Sequence, residues 1–249
     1  MPTYVFDPAA QPSVRISGSD DLLPVRHILC VGRNYADHAR EMGSDPTREP
    51  PFFFAKPGHA AVAADGVVPY PTQTDRLEFE VELVVALKCG GSDIRSVDAL
   101  DHVFGYAVGV DLTRRDLQQQ AKDARRPWDV AKGFDASAPM SEIVPASRVD
   151  GAVPSAGRIW LAVNGHTAQE GDLADMIWPV AHVIAAASRA WELAPGDLIF
   201  TGTPAGVGPL VPGDVVTGGV DGVAEFAFTV GPRPGAQLGP RPGAQFSGG

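Results

Sequence analysis

Leu77-Glu78-Phe79-Glu80-Val81-Glu82-Leu83-Val84-Val85-Ala86-Leu87 opens with strict apolar–acidic alternation and ends in an unbroken apolar run. Alternation is the mark of a strand with one face covered, and a short apolar run that of a strand buried on both faces. Glu78 to Leu87 is therefore expected to be one strand, the clearest in the chain. Side chains alternate along a strand, so Glu78, Glu80 and Glu82 share a face. Like charges that close repel, and beside an apolar run they need a cation or solvent to stay ionised. Oxygen ligands alone suit a hard ion, Mg2+ or Mn2+. The plainer alternative is a solvated strand face.

Outward from this stretch, the chain reads as many short strands and few helices. Glycine (28) and proline (23) are spread throughout, which suits an α+β, β-rich fold with tight turns better than a helical bundle. His27 to Gly32 reads as a buried strand. Asn34 is placed to cap a short helix through Tyr35, His38 and Glu41 that stops at Gly43. Ser44 to Pro51 is a proline-containing loop of the kind that serves as a lid. Phe52–Lys56, Phe104–Leu112, Ile159–Asn164, Leu198–Thr203 and Val223–Val230 read as strands. Helices are expected over Arg114–Arg125 and from about Asp175 to Glu192, with Pro179 tolerated in the first turns. No linker divides the chain. Residues 1–25 are expected to be an N-terminal β segment packed on a catalytic domain of residues 26–230. The Gly-Pro-Arg-Pro-Gly-Ala-Gln string at residue 231 recurs at 239, so 231–249 reads as a disordered Gly/Pro-rich tail.

Composition narrows the function. A net charge of −10 repels phosphate backbones and anionic lipid, which argues against nucleic-acid and membrane partners. Hydrophobic residues at 44% are enough for a core, but no run approaches the roughly 18 residues of a membrane span. Cys30 and Cys89 sit in apolar or strand-like surroundings, where a buried inert thiol is the usual state, and two thiols make no disulfide framework. With no signal peptide visible, a cytoplasmic setting follows.

Other segments offer chemistry to go with the glutamates. Asp111 ends an apolar strand just before a polar helix; it supplies either a third carboxylate or an ordinary helix N-cap. His38 and Glu41, three apart on a helix, share a face, and a carboxylate on one imidazole nitrogen raises the basicity of the other. The alternative is a surface pair. Lys132, in Trp128-Asp129-Val130-Ala131-Lys132-Gly133-Phe134, suits a substrate carboxylate or simply solvent. Thr201-Gly202-Thr203-Pro204-Ala205-Gly206-Val207-Gly208 lacks the Gly-Lys-Ser/Thr of a phosphate loop but carries amides and Thr203 that suit an anion.

In this order, these pieces resemble the fumarylacetoacetate hydrolase family from about Arg26 to Asp214. The E-x-E strand and the Asp before an R-D element stand here as Glu80, Glu82 and Asp111, which the resemblance implies are the metal ligands, with Glu78 left over. The C-V-G-R-N-Y-x-x-H-x-x-E string is Cys30 to Glu41, implying His38 and Glu41 as a catalytic dyad. R-D-x-Q is Arg115-Asp116-Leu117-Gln118, the family lysine is Lys132, and T-G-T-P-x-G-V-G runs from Thr201 to Gly208. The resemblance implies a β-roll like the family's C-terminal domain, with peripheral helices, usually as a homodimer. It also implies Mg2+, or Mn2+ in its place, with Lys132 among the catalytic groups and Arg33, Arg115, Gln118, Lys132 and Thr203 around a small dioxo acid. Thr113–Gln118, Arg126-Pro127-Trp128 and Phe134–Pro139 are most similar to fumarylpyruvate hydrolases. Ala138-Pro139-Met140-Ser141 replaces the Gly-Pro pair of many relatives, which argues against an oxaloacetate decarboxylase or a 2-hydroxyhepta-2,4-diene-1,7-dioate isomerase. Oxaloacetate decarboxylation, a general acylpyruvase, the isomerase activity and a non-catalytic acid binder remain as alternatives; the last has no need of His38 and Glu41.

Overall fold

The computed structural model describes residues 4–41, 50–149 and 153–235, the side chains of Ala39 and Glu41 excepted. In chain order, a hairpin of β1 (Ser13–Arg15) and β2 (Leu22–Pro24) precedes β3 (His27–Gly32), α1 (Ala36–Glu41) and β4 (Phe52–Pro57). Next come β5 (Ala61–Ala63), β6 (Val67–Val68), β7 (Leu77–Phe79), β8 (Val81–Leu87), β9 (Val103–Val110) and β10 (Thr113–Arg114). The middle holds α2 (Arg115–Asp123), α3 (Asp129–Lys132), β11 (Ala138–Met140) and β12 (Val144–Pro145). β13 (Arg158–Val163), β14 (His166–Asp172), α4 (Val180–Ala190) and β15 (Leu198–Phe200) follow, and β16 (Gly208–Leu210), β17 (Val215–Val220) and β18 (Ala224–Val230) close the fold.

The central sheet runs β4-β3-β15-β8-β9-β11-β5, with β12 beside β9. The apolar run of β8 is explained by burial on both faces. Leu83, Val85 and Leu87 join a large core with Leu29, Val31, Val108 and Ile199, closed by the five-stranded sheet β14-β13-β17-β18-β6. Val84 and Ala86 face the other way, into a smaller core with Cys30, Ala107, Met140 and Phe200, covered by Val14, Leu23 and Val25 of the N-terminal segment. Helix α4 presents Val180, Val183, Ile184 and Ala187 to the large core, spaced to form one helical face.

Several expectations are corrected. Glu78 to Leu87 is not one strand. It breaks at Glu80, with β7 in a small sheet between β10 and β16 and β8 in the central sheet. Asn34 does not spend its side chain on capping α1. Its Nδ2 donates to Thr201 O (2.7 Å) and Trp178 O (3.0 Å), and its Oδ1 accepts from Trp178 N (2.8 Å). Only Cys30 is buried; Cys89, just past the end of β8, is exposed, with Sγ 3.4 Å from His102 Nδ1. α4 begins at Val180, so Pro179 precedes it rather than sitting within it.

The segment from 231 begins against the fold. Gly231 N donates to Val68 O at 2.7 Å, and the Arg233 guanidinium lies over the Tyr70 ring and donates to Asp75. The duplicated Gly/Pro string from 236 on, the proposed stop at Gly43 and most of the proposed lid lie outside the described residues. No helix among the described residues is long and apolar enough to cross a membrane.

Candidate active site

The break at Glu80 builds the site. Val81 N, which a continuous strand would pair with a neighbouring backbone, instead donates to the Gln169 side chain (3.0 Å), and Glu80 O accepts from Asp111 N (2.8 Å). The chain turns there from one sheet into the other. Glu82 follows on β8 opposite Gly109, and Asp111 lies one residue past the end of β9. Ligand oxygens of Glu80, Glu82 and Asp111 come within 4.8 Å of one another, and all three residues are buried. Glu78 stands apart, paired with Arg76 (2.7 Å) and Arg115.

The surrounding charges are ordered. Lys132 Nζ donates to Glu80 Oε2 (2.8 Å) and Asp111 Oδ2 (2.6 Å), and lies over the Phe54 ring. Arg115 bridges Glu78 and Glu80 and donates to Gln118 Oε1 (2.7 Å). Lys56, which the sequence did not single out, is fully buried with Nζ 2.8 Å from Asp111 Oδ1. Its ammonium donates to Leu112 O (3.1 Å) and Lys132 O. Four carboxylates (Glu78, Glu80, Glu82, Asp111) thus face three buried cations, Lys56, Lys132 and Arg115.

Among the described residues no side-chain cation pairs with Glu82. Its Oε2 accepts from the Gly202 amide at 2.7 Å, so the amide that the sequence offered to an anion meets the protein's own carboxyl group. Burial, then repulsion from Asp111 and Glu80, pushes the Glu82 carboxyl well above its usual range. Burial also acts to raise Glu80, but Lys132, Arg115 and the nearby His38 hold it below the usual range. Burial works against the Lys132 ammonium, yet Asp111 and Glu80 keep its pKa raised.

These residues fit a divalent cation. Asp111 Oδ1 is buried and has the charge of Lys56 beside it but no aligned hydrogen bond. Glu82 lacks a paired side-chain cation among the described residues and stands against two other buried carboxylates, so further positive charge there would favour its ionised form, and the donor set is oxygen only.

Above the triad lies a small cavity of about 30 Å³. His38, Arg33, Glu80, Glu82, Arg115, Gln118, Lys132 and Thr203 all line it. Asp111 lies beneath, fully buried. Arg33 holds a left-handed backbone (φ 58°) that most side chains avoid; it follows β3 directly, and its guanidinium lies over the Phe52 ring. Thr203 Oγ1 is fixed by Gln169 Nε2 at 2.8 Å. Glu41 ends α1, and its carboxyl is outside the described residues. Lys56, Gln169, Lys122 and the aromatic wall of Phe52, Phe54 and Trp128 were not anticipated as site residues. The one available signal for Lys56 was a lysine at the end of an otherwise apolar strand.

A two-faced sheet delivering three buried carboxylates to a cavity with a histidine and several cations defines a metal-site fold of the fumarylacetoacetate hydrolase type. Residues 27–231 match the family profile described as fumarylacetoacetate (FAA) hydrolase C-terminal, and the chain belongs to that family. It is 43% identical over 188 residues to a fumarylpyruvate hydrolase from Ralstonia sp, covering 76% of this chain and 96% of that one. The mitochondrial oxaloacetate tautomerase of Mus musculus is 42% identical over 205 residues, 82% of this chain and 91% of the relative. Among solved structures, fumarylpyruvate hydrolase from Pseudomonas aeruginosa in complex with Mn2+ and pyruvate superposes with a TM-score of 0.90 at 47% identity, covering 93% of this chain and 100% of that one.

Proposed function

We propose that this chain is a divalent-metal-dependent hydrolase that cleaves fumarylpyruvate and water to fumarate and pyruvate. The observation that carries the reading is the Glu80–Glu82–Asp111 triad under a cavity lined by His38 and by the cations Arg33, Arg115 and Lys132. The Pseudomonas relative bound to Mn2+ and pyruvate supports it, because pyruvate is one product of this reaction.

Glu80, Glu82 and Asp111 would hold Mg2+ or Mn2+. When bound, the ion supplies Lewis acidity to the 2-oxo acid end of the substrate. Gln118, Arg33 and Thr203 position the rest. His38, with Glu41 as its proposed carboxylate partner, takes a proton from water, and the water oxygen bonds to the distal ketone carbon. Lys132 turns an N–H toward the oxygen that gains charge there. The carbon–carbon bond then breaks, its electron pair leaves with the pyruvate half, and the proton held on His38 returns to that half. A cavity of about 30 Å³ holds one or two waters.

The homodimer and the cytoplasmic setting belong to the same proposal. They rest on the family resemblance, the acidic composition and the two free thiols.

The test is a panel of 2,4-dioxo acids, with oxaloacetate included, followed at the enol absorbance with Mg2+ or Mn2+. Fumarylpyruvate is expected to give the highest kcat/KM, and EDTA to abolish turnover. Faster loss of oxaloacetate than of any dioxo acid would move the chain to the decarboxylase or tautomerase side of the family.

A further inference from the structure

One cation on the cavity wall has no part in the mechanism above. Lys122 lines the same cavity, half-buried, with Nζ 5.4 Å from the centre of the Trp128 ring. Arg115, Gln118 and Lys122 stand at i, i+3 and i+7 of α2 and so share one helix face. Arg115, at the deep end, is locked onto Glu78 and Glu80. Gln118 spends its carbonyl oxygen on Arg115. Among the described residues, the Gln118 amide nitrogen has no acceptor and Lys122 has no carboxylate partner. Burial, then Arg115, Arg33 and Lys132, lowers the Lys122 pKa against the opposing pull of Glu80. A donor row of this kind, ending in an ammonium that no carboxylate pairs with among the described residues and that stands beside an aromatic wall, is built for an acceptor supplied from outside.

The spacing says which acceptor. Seven helical residues from Arg115 to Lys122 rise about 10 Å at about 1.5 Å each. The two carboxyl carbons of an extended seven-carbon dioxo diacid are about 7–8 Å apart, from bonds of about 1.5 Å. With one end held at the carboxylate triad, the other extends along α2 within the cavity that Gln118 and Lys122 line.

We propose that Lys122 reads the distal carboxylate of the substrate, with the Gln118 amide beside it, so that the chain selects dicarboxylic 2,4-dioxo acids over acylpyruvates with uncharged acyl groups. This rests on the hydrolase reading above and adds the determinant of its substrate class.

The test compares fumarylpyruvate with acetylpyruvate on full-length wild type, Lys122→Met and Lys122→Arg, in Mg2+. The wild type is expected to favour the diacid. In Lys122→Met the ratio of the two kcat/KM values should fall by about 10- to 100-fold, the range of a charge-assisted hydrogen bond. The loss should appear mainly in KM, and Lys122→Arg should restore most of the ratio. The inhibition constant for fumarate should rise with it, more than that for pyruvate. A ratio unchanged in Lys122→Met, or an equal loss on both substrates, overturns the assignment while leaving the hydrolase reading intact. A wild type that turns over neither acid removes both. Residual acetylpyruvate turnover and an unchanged melting temperature show that the variant is folded.

Discussion

Lys56→Met tests the buried charge network where the structure adds most to the sequence. The methionine keeps the stem and removes the ammonium. Lys56 is fully buried, and its Nζ serves Asp111 Oδ1 at 2.8 Å, Leu112 O at 3.1 Å and Lys132 O. Breaking a buried ion pair from one side costs about 3–5 kcal/mol. Each orphaned carbonyl alone would cost about 1–3 kcal/mol, but these losses overlap and do not add. We take about 3–5 kcal/mol as the total, which for a chain of this size lowers Tm by roughly 6–20 °C. The assay is thermal unfolding by circular dichroism in EDTA, repeated in a double-mutant cycle with Asp111→Asn. The double variant should be less destabilised than the sum of the singles, by about 1–3 kcal/mol. A Lys56→Met protein that melts within about 2 °C of wild type, or a cycle that closes additively, would refute the pairing.

Three further outcomes are expected. Glu82→Ala should abolish Mg2+-dependent turnover and the rise in Tm on adding Mg2+, as EDTA should in the wild type; activity that survives chelation would contradict the metal reading. His38→Ala should lower kcat by about 10²- to 10⁴-fold, the usual worth of a positioned base, while pyruvate still inhibits; near-normal kcat removes His38 from the chemistry. Gly202→Ala should cost about 2–4 kcal/mol and weaken metal binding together, measured by melting and Mn2+ titration. The backbone there is left-handed (φ +97°), an added Cβ would sit 2.6 Å from Asn34 Cβ, and the Gly202 amide holds Glu82. A stable Gly202→Ala protein with unchanged Mn2+ affinity would show that this contact is dispensable.

Much of the site was legible because its chemistry is local in sequence. Glu80 and Glu82 are two apart, Arg115 and Gln118 one helical turn apart, and the strings around His38 and Thr203 are contiguous. Each lies where a short element delivers it to the cavity. The break at Glu80 was hidden because its cause is Gln169, 88 residues away on β14, whose side chain takes the Val81 amide. An alternating glutamate strand looks the same whether or not a distant amide interrupts it. β14 itself, His166–Asp172, is polar, and β17 carries two adjacent glycines, so neither shows the β-branched alternation by which a strand is read. Lys56 drew no notice because nothing adjacent to it in sequence is acidic. Its partner, Asp111, comes from another strand, and only their convergence buries the pair. Cys89 follows an apolar run, but that run stops at Leu87, and burial stops with it.

The most direct measurement is a crystal structure of the protein with Mn2+, with the ion located by its anomalous scattering. The account expects one strong peak with carboxyl oxygens of Glu80, Glu82 and Asp111 all at about 2.0–2.3 Å, and Lys132 displaced from its place between Glu80 and Asp111 or sharing their outer oxygens. A Mn2+ ion bound elsewhere, or these three carboxyls closed around Lys132 with no metal at saturating Mn2+, would contradict it.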